Sequence, residues 1–592
     1  MLSSSQTRSI HYSFAPQRQT ALVMAEEAPN SKKQCVVDLR GEDSDDSSVI
    51  CIGSAPAPPA AAASAPAQPA AFALPAASKS IKVMKETIRA AGLGVADLVE
   101  RSDVEARYKQ ALARLEEADS RNTDDASTPY AWHPLQCPAL GGPDSPGNRG
   151  AVSLSDVGAG RPKWFVVSNY MISGRTLEQI LPQLKTVERC VIFHGEAGTA
   201  RHLASTFPRA EIHDMTPKKL EFIHSRTGKP FKNDYGCHHA KFFLVGFEDS
   251  LRVSIHTANI INCDCFKKTQ GVWTQDFPLK KAGAGSSDFE EQLVKYMKTL
   301  QNHKGGQKRS WVGFGAAFGD EQLTLADALR KFDFSGAKGR LVAATPGYHS
   351  GADLHLYGVN RLAALLANES DAASQRADDE IYCQFSSFSR PAPKLLAALS
   401  AAFHAPKPLG RPPPKVPLFL VWATKTEVRD SVEGYGAGSC MPSALKNVRE
   451  APRGMLRRWT KDGSSDFVAA RCRAMPHIKT WTRVSGDGKD VRWSLLSSAN
   501  LSGYAWGNHQ VNNTQLFCGH WELGVLVTPS IIGSPLRTTQ GTGGAVVPLP
   551  YPCPPRPYAD CDVPFSWEER YDEPDRFGSH GTNNCIGKQV GK

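Results

Sequence analysis

Two sets of polar residues in this chain have the same types in the same order: a histidine, a lysine two positions later, and an asparagine further on. The sets are His239, Lys241 and Asn259, and His477, Lys479 and Asn500. A phosphodiester is anionic, and its transition state spreads charge over oxygens that ammonium and amide donors stabilise without a metal. Two imidazoles with pKa values near about 6.5 can divide the work, one neutral and one protonated. The repetition therefore predicts a phosphate site in which one histidine attacks and the other protonates the leaving oxygen.

Each set also contains the elements needed to bring its residues together. Residues of an extended chain alternate between two faces, so a histidine and the lysine two positions later project in the same direction. A strand-like run follows each lysine, and a second run leads to each asparagine. A single His-x-Lys is weak support, because a lone histidine is more often a hydrogen-bonded structural residue. The repetition makes the signal specific and predicts two similar halves that face one pocket.

From about residue 151, short β-branched or aromatic runs alternate with amphipathic stretches, which is typical of a layered α/β domain. The clearest predicted elements are strands at 165–167, 190–193 and 418–421 and a helix at 284–301. The same alternation resumes after the Thr-Pro-Gly at 345–347. The pattern predicts two α/β domains, at 151–348 and 349–592.

Residues 1–78 are dominated by Ser, Ala and Pro, a composition that cannot bury enough apolar surface to offset the entropy lost on ordering. They are predicted to be a disordered tail. Two β-branched clusters, at 36–39 and 49–52, flank an acidic run and resemble SUMO-interacting motifs, in which an extended segment adds to the partner's sheet edge. Chance apolar clusters in a tail explain them equally well.

The segment between the tail and the predicted domains divides into two parts. Residues 79–118 have the periodicity of two short helices separated by a glycine-containing turn, which predicts a small helical module. A docking or purely structural role suits this module better than DNA binding. Residues 119–150 are polar and rich in Gly and Pro, and they are predicted to be a linker.

Composition narrows the class of protein without identifying a partner. A chain of 592 residues can form two or more domains, and its net charge of +10 favours a polyanionic partner without requiring one. The 14 cysteines include no Cys-x-x-Cys pair, and the spacing of Cys263 and Cys265 is wrong for a structural zinc site. This usage indicates a reduced compartment. No run of about 18 apolar residues is present, so we expect a soluble protein with no membrane partner.

The segments around the two sets resemble the tyrosyl-DNA phosphodiesterases of the phospholipase D superfamily. The matching segments are GCHHAK at 236–241, IHTAN at 255–259, KTQGVW at 268–273, MPHIKT at 475–480, SANLS at 498–502 and ELGVL at 522–526. Ordinary superfamily members have an aspartate after His-x-Lys that both sets lack, which distinguishes the tyrosyl-DNA branch. The resemblance covers about 151–580. It implies two phospholipase-D-like α-β-α sandwich domains with mixed sheets, related by a pseudo-twofold axis and preceded by a disordered N-terminal region.

The resemblance implies a role for each matching residue. His239 is the nucleophile, which forms a phosphohistidine with the 3′ end of DNA. His477 is the acid that releases the tyrosine and then the base that activates water. The phosphate oxygens are held by Lys241, Lys479, Asn259 and Asn500. Gln270 and Glu522 orient the two histidines, and no metal or other cofactor is expected.

Contacts to the DNA strand are also implied, from Tyr170, Tyr235, Ser386, Ser387 and Ser502. Tyr235 stands where the family places an aromatic ring against a base, and stacking tolerates any base sequence. A core tyrosine is the alternative for this residue. Gly503 stands where the family often has lysine, which puts one strand contact in doubt. His238 and His256 lie inside the motifs but are interpreted as structural.

The implied activity is hydrolysis of the 3′-phosphotyrosyl bond between DNA and a peptide of a trapped type IB topoisomerase, and of other 3′ adducts. We expect a monomer that acts on single- and double-stranded 3′ ends. It is expected in the nucleus, and the sequence does not decide whether a fraction is mitochondrial or in another organelle. One alternative is a general metal-independent nuclease or phospholipase of the same superfamily. The missing aspartates and Tyr235 argue against a lipid substrate. The other is a non-catalytic scaffold that binds DNA or SUMO, which the intact His-x-Lys sets disfavour.

Overall fold

Most of the chain from residue 129 onward is described by a computed structural model. The described residues are 81, 84, 85, 100–110 and 129–581, with gaps at 217–221, 225–226, 302–311, 316–317, 321, 370–375, 377, 390–392, 405–415, 461–466 and 541–542. The predicted tail and its clusters at 36–39 and 49–52 lie outside the described residues. In the predicted helical module, 101–110 are helical, and Val104 and Tyr108 are buried. Within the described part, no helix has the length and apolarity needed to cross a bilayer.

The first half of the chain forms a mixed sheet. Its strands are β1 (His133–Pro134), β2 (Trp164–Asn169), β3 (Arg189–His194), β4 (Glu211–Asp214), the hairpin strands β5 (Phe222–Ile223) and β6 (Pro230–Phe231), then β7 (Phe242–Gly246), β8 (Ser250–His256) and β9 (Gly271–Pro278). The order across the sheet is β1-β9-β8-β7-β2-β3-β4. Strands β2, β3 and β4 are parallel, and the others are antiparallel to their neighbours.

Several helices of this half begin at a side chain that satisfies one of their first backbone N–H groups. They are α1 (Leu154–Gly158), α2 (Gly174–Ile180), α3 (Thr199–Thr206), α4 (Asn262–Phe266), α5 (Asp288–Gln301) and α6 (Leu325–Leu329), with 3₁₀ turns at Pro138–Leu140, Pro146–Asn148 and Pro182–Lys185. Ser153 and Asp156 form a capping box at the start of α1, and the Ser173 side chain caps α2. The predicted helix at 284–301 corresponds to α5, whose first turn is acidic and so complements the helix dipole.

The second half contains a main sheet and a smaller three-stranded sheet. Its strands are β10 (Arg340–Ala344), β11 (Gly347–Ser350), β12 (Glu380–Gln384), β13 (Leu418–Val421), β14 (Leu456–Arg457), β15 (Thr480–Val484), β16 (Asp490–Ser497), β17 (Asn508–Gln510), β18 (Gln515–Cys518), β19 (Glu522–Val527), β20 (Leu536–Arg537) and β21 (Ala545–Val546). The main order is β10-β19-β16-β15-β12-β13-β14, with β20 beside β16 and β21, and the smaller order is β11-β18-β17. The helices are α7 (Gly358–Asn368), α8 (Pro393–Phe403), α9 (Lys425–Arg429), α10 (Leu445–Arg449), α11 (Phe467–Arg471), α12 (Gly503–Trp506) and α13 (Pro529–Ile532), with 3₁₀ segments at Gly351–Asp353, Gly434–Cys440 and Arg453–Met455.

The two main sheets have the same strand pattern. Each has three parallel strands at one edge, β2-β3-β4 in the first and β12-β13-β14 in the second. Three antiparallel strands follow, β7-β8-β9 in the first and β15-β16-β19 in the second. Strands β7 and β15 therefore hold equivalent places, as do β8 and β16. This arrangement confirms the predicted α/β architecture with mixed sheets in two similar halves.

Alternation along the central strands divides the core between two layers. In β7, Phe242 and Leu244 pack into a large cluster that also contains side chains of β15 and β19. Phe243 and Val245 pack into a cluster on the opposite face. A strand buried on both faces needs apolar residues at every position, and β7 has them. Because the large cluster joins both main sheets, the described residues from 81 to 581 belong to one compact unit.

Two predicted boundaries differ from the structure. Strand β1 lies inside the predicted linker 119–150 because Trp132 and Leu135 are buried there and the strand pairs with β9. Strand β10 pairs with β19 in the second sheet, although it precedes the predicted division after residue 348. The Thr-Pro-Gly at 345–347 therefore follows the first strand of the second sheet. The division into two separate domains stays a prediction.

Candidate active site

The two halves bring the histidine and the asparagine of both repeated sets to one cavity of about 390 Å³. Each His-x-Lys directly precedes a central strand, β7 or β15, and each asparagine closely follows the neighbouring strand, β8 or β16. The predicted site residues that line the cavity are His239, His477, Asn259, Asn500, Glu522, Tyr170, Ser386, Ser387 and Ser502. His239 of the first half and His477 of the second therefore face the same cavity.

Each half supplies the backbone that positions the other half's histidine. The N–H of His239 donates to the carbonyl of Trp521, 3.0 Å away, and the N–H of His477 donates to the carbonyl of Thr269 at the same 3.0 Å. Trp521 and Thr269 lie just before the equivalent strands β19 and β9. These two reciprocal hydrogen bonds fix the positions of the two histidines relative to both sheets.

His239 is held by a carboxylate from the opposite half. Its Nδ1 lies 3.0 Å from Oε2 of Glu522, which also accepts a hydrogen bond from Ser498. Because an ionised carboxylate only accepts, Nδ1 carries the proton and the lone pair is on Nε2. Burial lowers the pKa of His239 to about 4, although the charge of Glu522 opposes this shift. Burial would raise the pKa of Glu522, but the charge and hydrogen bond of His239 bring it to about 2. At neutral pH the pair is a neutral imidazole beside a carboxylate.

His477 is held by groups of the first half. Its Nδ1 lies 3.0 Å from the carbonyl oxygen of Thr257 and 3.2 Å from Oδ2 of Asp264. Burial and the charges of Lys479 and Lys241 lower the pKa of His477 well below its usual value. One histidine was expected to be protonated near neutral pH. The charges of the protein itself do not favour a protonated His477. The two lysines, which attract a phosphate, repel the proton that His477 needs as an acid.

Gln270 does not contact His477 directly, although the resemblance implied that it orients a histidine. Its Oε1 accepts from the Thr257 hydroxyl at 2.7 Å, and its Nε2 donates to the Asp264 carbonyl at 3.3 Å. It therefore holds the two residues that contact His477, while the direct side-chain partner is Asp264. Sequence reasoning missed Asp264, although it is the only acid between Asn259 and Gln270. Its position in α4, where it also accepts the Asn259 N–H at 3.0 Å, brings it to the histidine.

Lys241 and Lys479 are fully buried and are not among the side chains that line the cavity. Each Nζ donates to the carbonyl of the histidine two residues earlier, at 2.7 Å for Lys241 and 2.5 Å for Lys479. Burial lowers the pKa of Lys241 to about 8, and burial and the charge of Lys241 lower the pKa of Lys479. The lysines thus supply positive charge from behind the histidine backbone.

The two asparagines present amide groups to the cavity. Oδ1 of Asn500 accepts from the backbone N–H groups of Ser386 and Ser387 at 3.1 and 3.0 Å, which turns its NH₂ group away from these donors. Oδ1 of Asn259 is buried and has no hydrogen-bond partner among the described residues. Both asparagines line the cavity, so either side-chain amide can contact a ligand there.

The predicted DNA-contact residues divide between the cavity and the surface. Tyr170 packs beside His239, with 5.8 Å between ring centroids. Ser502 lines the cavity and caps α12 by accepting the Ala505 N–H. Tyr235 does not line the cavity, and its side chain is 83% exposed, so it is not a core tyrosine.

The two remaining motif histidines are buried inside the first half. Nε2 of His238 lies 2.8 Å from the Ser168 hydroxyl. Burial lowers the pKa of His238 and of His256 to about 3, so both rings are neutral. Neither lines the cavity, which agrees with a structural role.

Comparisons with known proteins agree with the motifs. The family model for tyrosyl-DNA phosphodiesterase matches residues 141–559. Tyrosyl-DNA phosphodiesterase 1 of Arabidopsis thaliana is 33% identical over 479 residues, which cover 73% of this chain and 73% of that protein. Tyrosyl-DNA phosphodiesterase 1 of Drosophila melanogaster is 30% identical over 355 residues, which cover 56% of this chain and 57% of that protein.

A solved structure supports the fold. The crystal structure of the yeast tyrosyl-DNA phosphodiesterase superposes with a TM-score of 0.53 at 15% identity. The superposition covers 74% of this chain and 99% of the yeast chain. The likeness therefore supports the fold over most of the chain.

Proposed function

The chain belongs to the tyrosyl-DNA phosphodiesterase family, and on that premise we propose that it removes tyrosyl peptides from the 3′ ends of DNA. It is a DNA-repair phosphodiesterase. Its proposed substrate is the 3′-phosphotyrosyl bond left by a trapped type IB topoisomerase, with other 3′ adducts as a wider range. The observation that carries the proposal is a single cavity lined by His239 of the first half and His477 of the second, with both lysines buried beside it.

In the first step, Nε2 of His239 attacks the phosphorus and forms a phosphohistidine, while the bond from phosphorus to the tyrosyl oxygen breaks. The hydrogen bond from Nδ1 to Glu522 keeps the lone pair on Nε2. Charge that develops on the phosphate oxygens is stabilised by two ammonium groups and two amides, those of Lys241, Lys479, Asn259 and Asn500.

His477 donates its proton to the departing tyrosyl oxygen. A bound phosphodiester adds negative charge beside Lys241 and Lys479, which offsets the repulsion that otherwise lowers the pKa of His477. The Asp264 carboxylate, 3.2 Å from Nδ1, favours the protonated ring in the same way. Substrate binding therefore prepares the acid.

In the second step, neutral His477 takes a proton from water, and the water oxygen attacks the phosphohistidine. The bond between phosphorus and Nε2 of His239 breaks, and a 3′-phosphate remains on the DNA. The same imidazole thus acts first as acid and then as base, as the reversal of proton flow requires.

The DNA strand lies along the serines of the second half in this proposal. Ser386, Ser387 and Ser502 contact its phosphates, Tyr170 lies beside the reacting phosphate, and the exposed ring of Tyr235 stacks on a base. Stacking and phosphate contacts are independent of base sequence, so the site accepts 3′ ends of any sequence, and both single- and double-stranded ends are proposed as substrates. We also propose a monomer that acts in the nucleus and binds SUMO-modified partners through 36–39 and 49–52.

The activity on a tyrosyl oligonucleotide tests the proposal directly. Purified protein in excess EDTA should convert a 3′-phosphotyrosyl oligonucleotide to the 3′-phosphate, because the charges that stabilise the reaction come from side chains. Product is measured by denaturing gel electrophoresis. Phosphatidylcholine and an unmodified strand are the comparison substrates, and faster turnover of either would point to a phospholipase or a general nuclease. Loss of activity in the chelator would contradict the mechanism.

Glu522→Gln should slow the reaction by roughly 10²- to 10⁴-fold, because an amide does not enforce the tautomer that leaves the lone pair on Nε2. It should also change the pH profile. The charge of Glu522 raises the pKa of His239 against the effect of burial, so its removal lowers that pKa below about 4. The acid limb of the single-turnover rate should therefore move to lower pH.

The matched control for this variant is Glu196→Gln. It removes a half-buried carboxylate of the first half whose side chain bonds to Thr199. Its pH profile should coincide with that of the unmodified protein. An unchanged acid limb in Glu522→Gln, with normal thermal unfolding, would show that Glu522 does not act through His239.

A further inference from the structure

Two cysteines and an aspartate meet at the wall of the cavity. Cys263 and Asp264 lie in α4, and Cys440 ends the 3₁₀ segment Gly434–Cys440 of the other half. Their ligating atoms all lie within 4.8 Å of one another. Sγ of Cys440 is 3.0 Å from Oδ1 of Asp264, and Sγ of Cys263 is 3.8 Å from the same oxygen. Both cysteines line the cavity.

These distances suit a tetrahedral cation with sulfur ligands. Zinc binds thiolate at about 2.3 Å and carboxylate at about 2.0 Å, which places sulfur about 3.5 Å from oxygen and about 3.8 Å from the second sulfur. Small side-chain rotations would bring the three atoms to these separations. Because both cysteines line the cavity, a cation held by the three residues would have its fourth position open to solvent. Lys268 lies close to both thiols, but its charge is paired with Glu433.

We propose that Cys263, Asp264 and Cys440 form an inhibitory site for a thiophilic divalent cation of the Zn²⁺ class. Both thiols release their protons to solvent on binding. Asp264 connects this site to the reaction, because its other oxygen, Oδ2, lies 3.2 Å from Nδ1 of His477 and accepts the Asn259 N–H. A cation on Oδ1 draws the carboxylate away from His477 and Asn259. The inhibition rests on the function proposed above, whereas the binding does not.

Cobalt binding tests the site without reference to activity. Metal-free protein kept reduced by a phosphine is titrated with Co²⁺, and the thiolate-to-cobalt charge-transfer band is recorded. The unmodified protein should give this band at one equivalent, and Zn²⁺ should displace it. Cys263→Ser/Cys440→Ser should lose the band. Cys237→Ser, which changes another cysteine that lines the cavity, should retain it. A band of equal intensity in the double variant would overturn the proposal.

Zinc inhibition tests the connection to the reaction. Stoichiometric Zn²⁺ should inhibit turnover of the tyrosyl oligonucleotide reversibly, and EDTA should restore it. The double variant should need about tenfold more Zn²⁺, or higher, for half inhibition, because its ligands are lost. Equal sensitivity of the double variant and the unmodified protein would overturn the inhibitory role. A normal cobalt band in a protein that turns over no phosphotyrosyl substrate would instead contradict the proposed function and leave the metal site standing.

Discussion

His239→Ala should reduce turnover of a 3′-phosphotyrosyl oligonucleotide by roughly 10⁴- to 10⁶-fold, as expected when a covalent nucleophile is removed. The methyl group of alanine offers no lone pair to the phosphorus, so no covalent bond to DNA forms. The Glu522 carboxylate loses the hydrogen bond that Nδ1 of His239 donates to it, and it remains as a buried charge that repels the phosphate. Single-turnover kinetics and a denaturing gel for the protein–DNA adduct measure both effects.

His520 offers a matched control for this variant. It lines the same cavity, but its Nδ1 accepts the backbone N–H of Cys237 at 3.0 Å. His520→Asn should therefore keep activity within about tenfold of the unmodified protein, since it removes neither nucleophile nor acid. An adduct that still forms in His239→Ala, at a rate close to normal, would assign the nucleophile to another residue.

His477→Ala should trap the covalent intermediate. The first step expels a phenolate, whose conjugate acid has a pKa of about 10, so it retains part of its rate without a proton donor. The second step must deprotonate water, whose pKa is about 15.7, and so depends more strongly on the base. General acid–base catalysis contributes roughly 10²- to 10⁴-fold to a step, and the loss should be larger in the second. The adduct should therefore accumulate to near one equivalent while product release almost stops.

The double variant His239→Ala/His477→Ala separates the two roles. It should form no adduct, because the bond that His477→Ala traps is the bond to His239. Adduct yields that are equal in the two single variants, or higher in His239→Ala, would reverse the assignment of nucleophile and acid. Thermal unfolding of each variant checks that the cavity survives, since both histidines are largely buried.

Local pattern was sufficient to predict the strands that carry the site. The runs at 165–167, 190–193 and 418–421 correspond to β2, β3 and β13, because consecutive β-branched and aromatic residues suit strands buried on both faces. The repetition of His, Lys and Asn also predicted that two similar halves meet at one site. Strand β1 was not predicted, because two residues in a Gly- and Pro-rich segment are too few to show a periodicity.

The residues that surround the histidines could not be assigned in this way. Asp264 reaches His477 across 213 positions of sequence, and Gln270 acts on the same ring only through Thr257 and Asp264. Cys440 joins Cys263 at the cavity wall although the two belong to opposite halves. Such contacts depend on how the two sheets pack against each other, so the spacing of residues along the chain cannot predict them.

The amino-acid sequence by itself determined the types of the reacting groups, the strands that carry them and the family to which they belong, because these depend on residue identity and short-range periodicity. Tertiary structure alone decided the partners and the charge states of those groups. Burial lowers the pKa of both imidazoles because it removes the water that would stabilise their protonated forms, and the two lysines in the same interior lower it further. Desolvation and long-range charge arise only when the chain has folded.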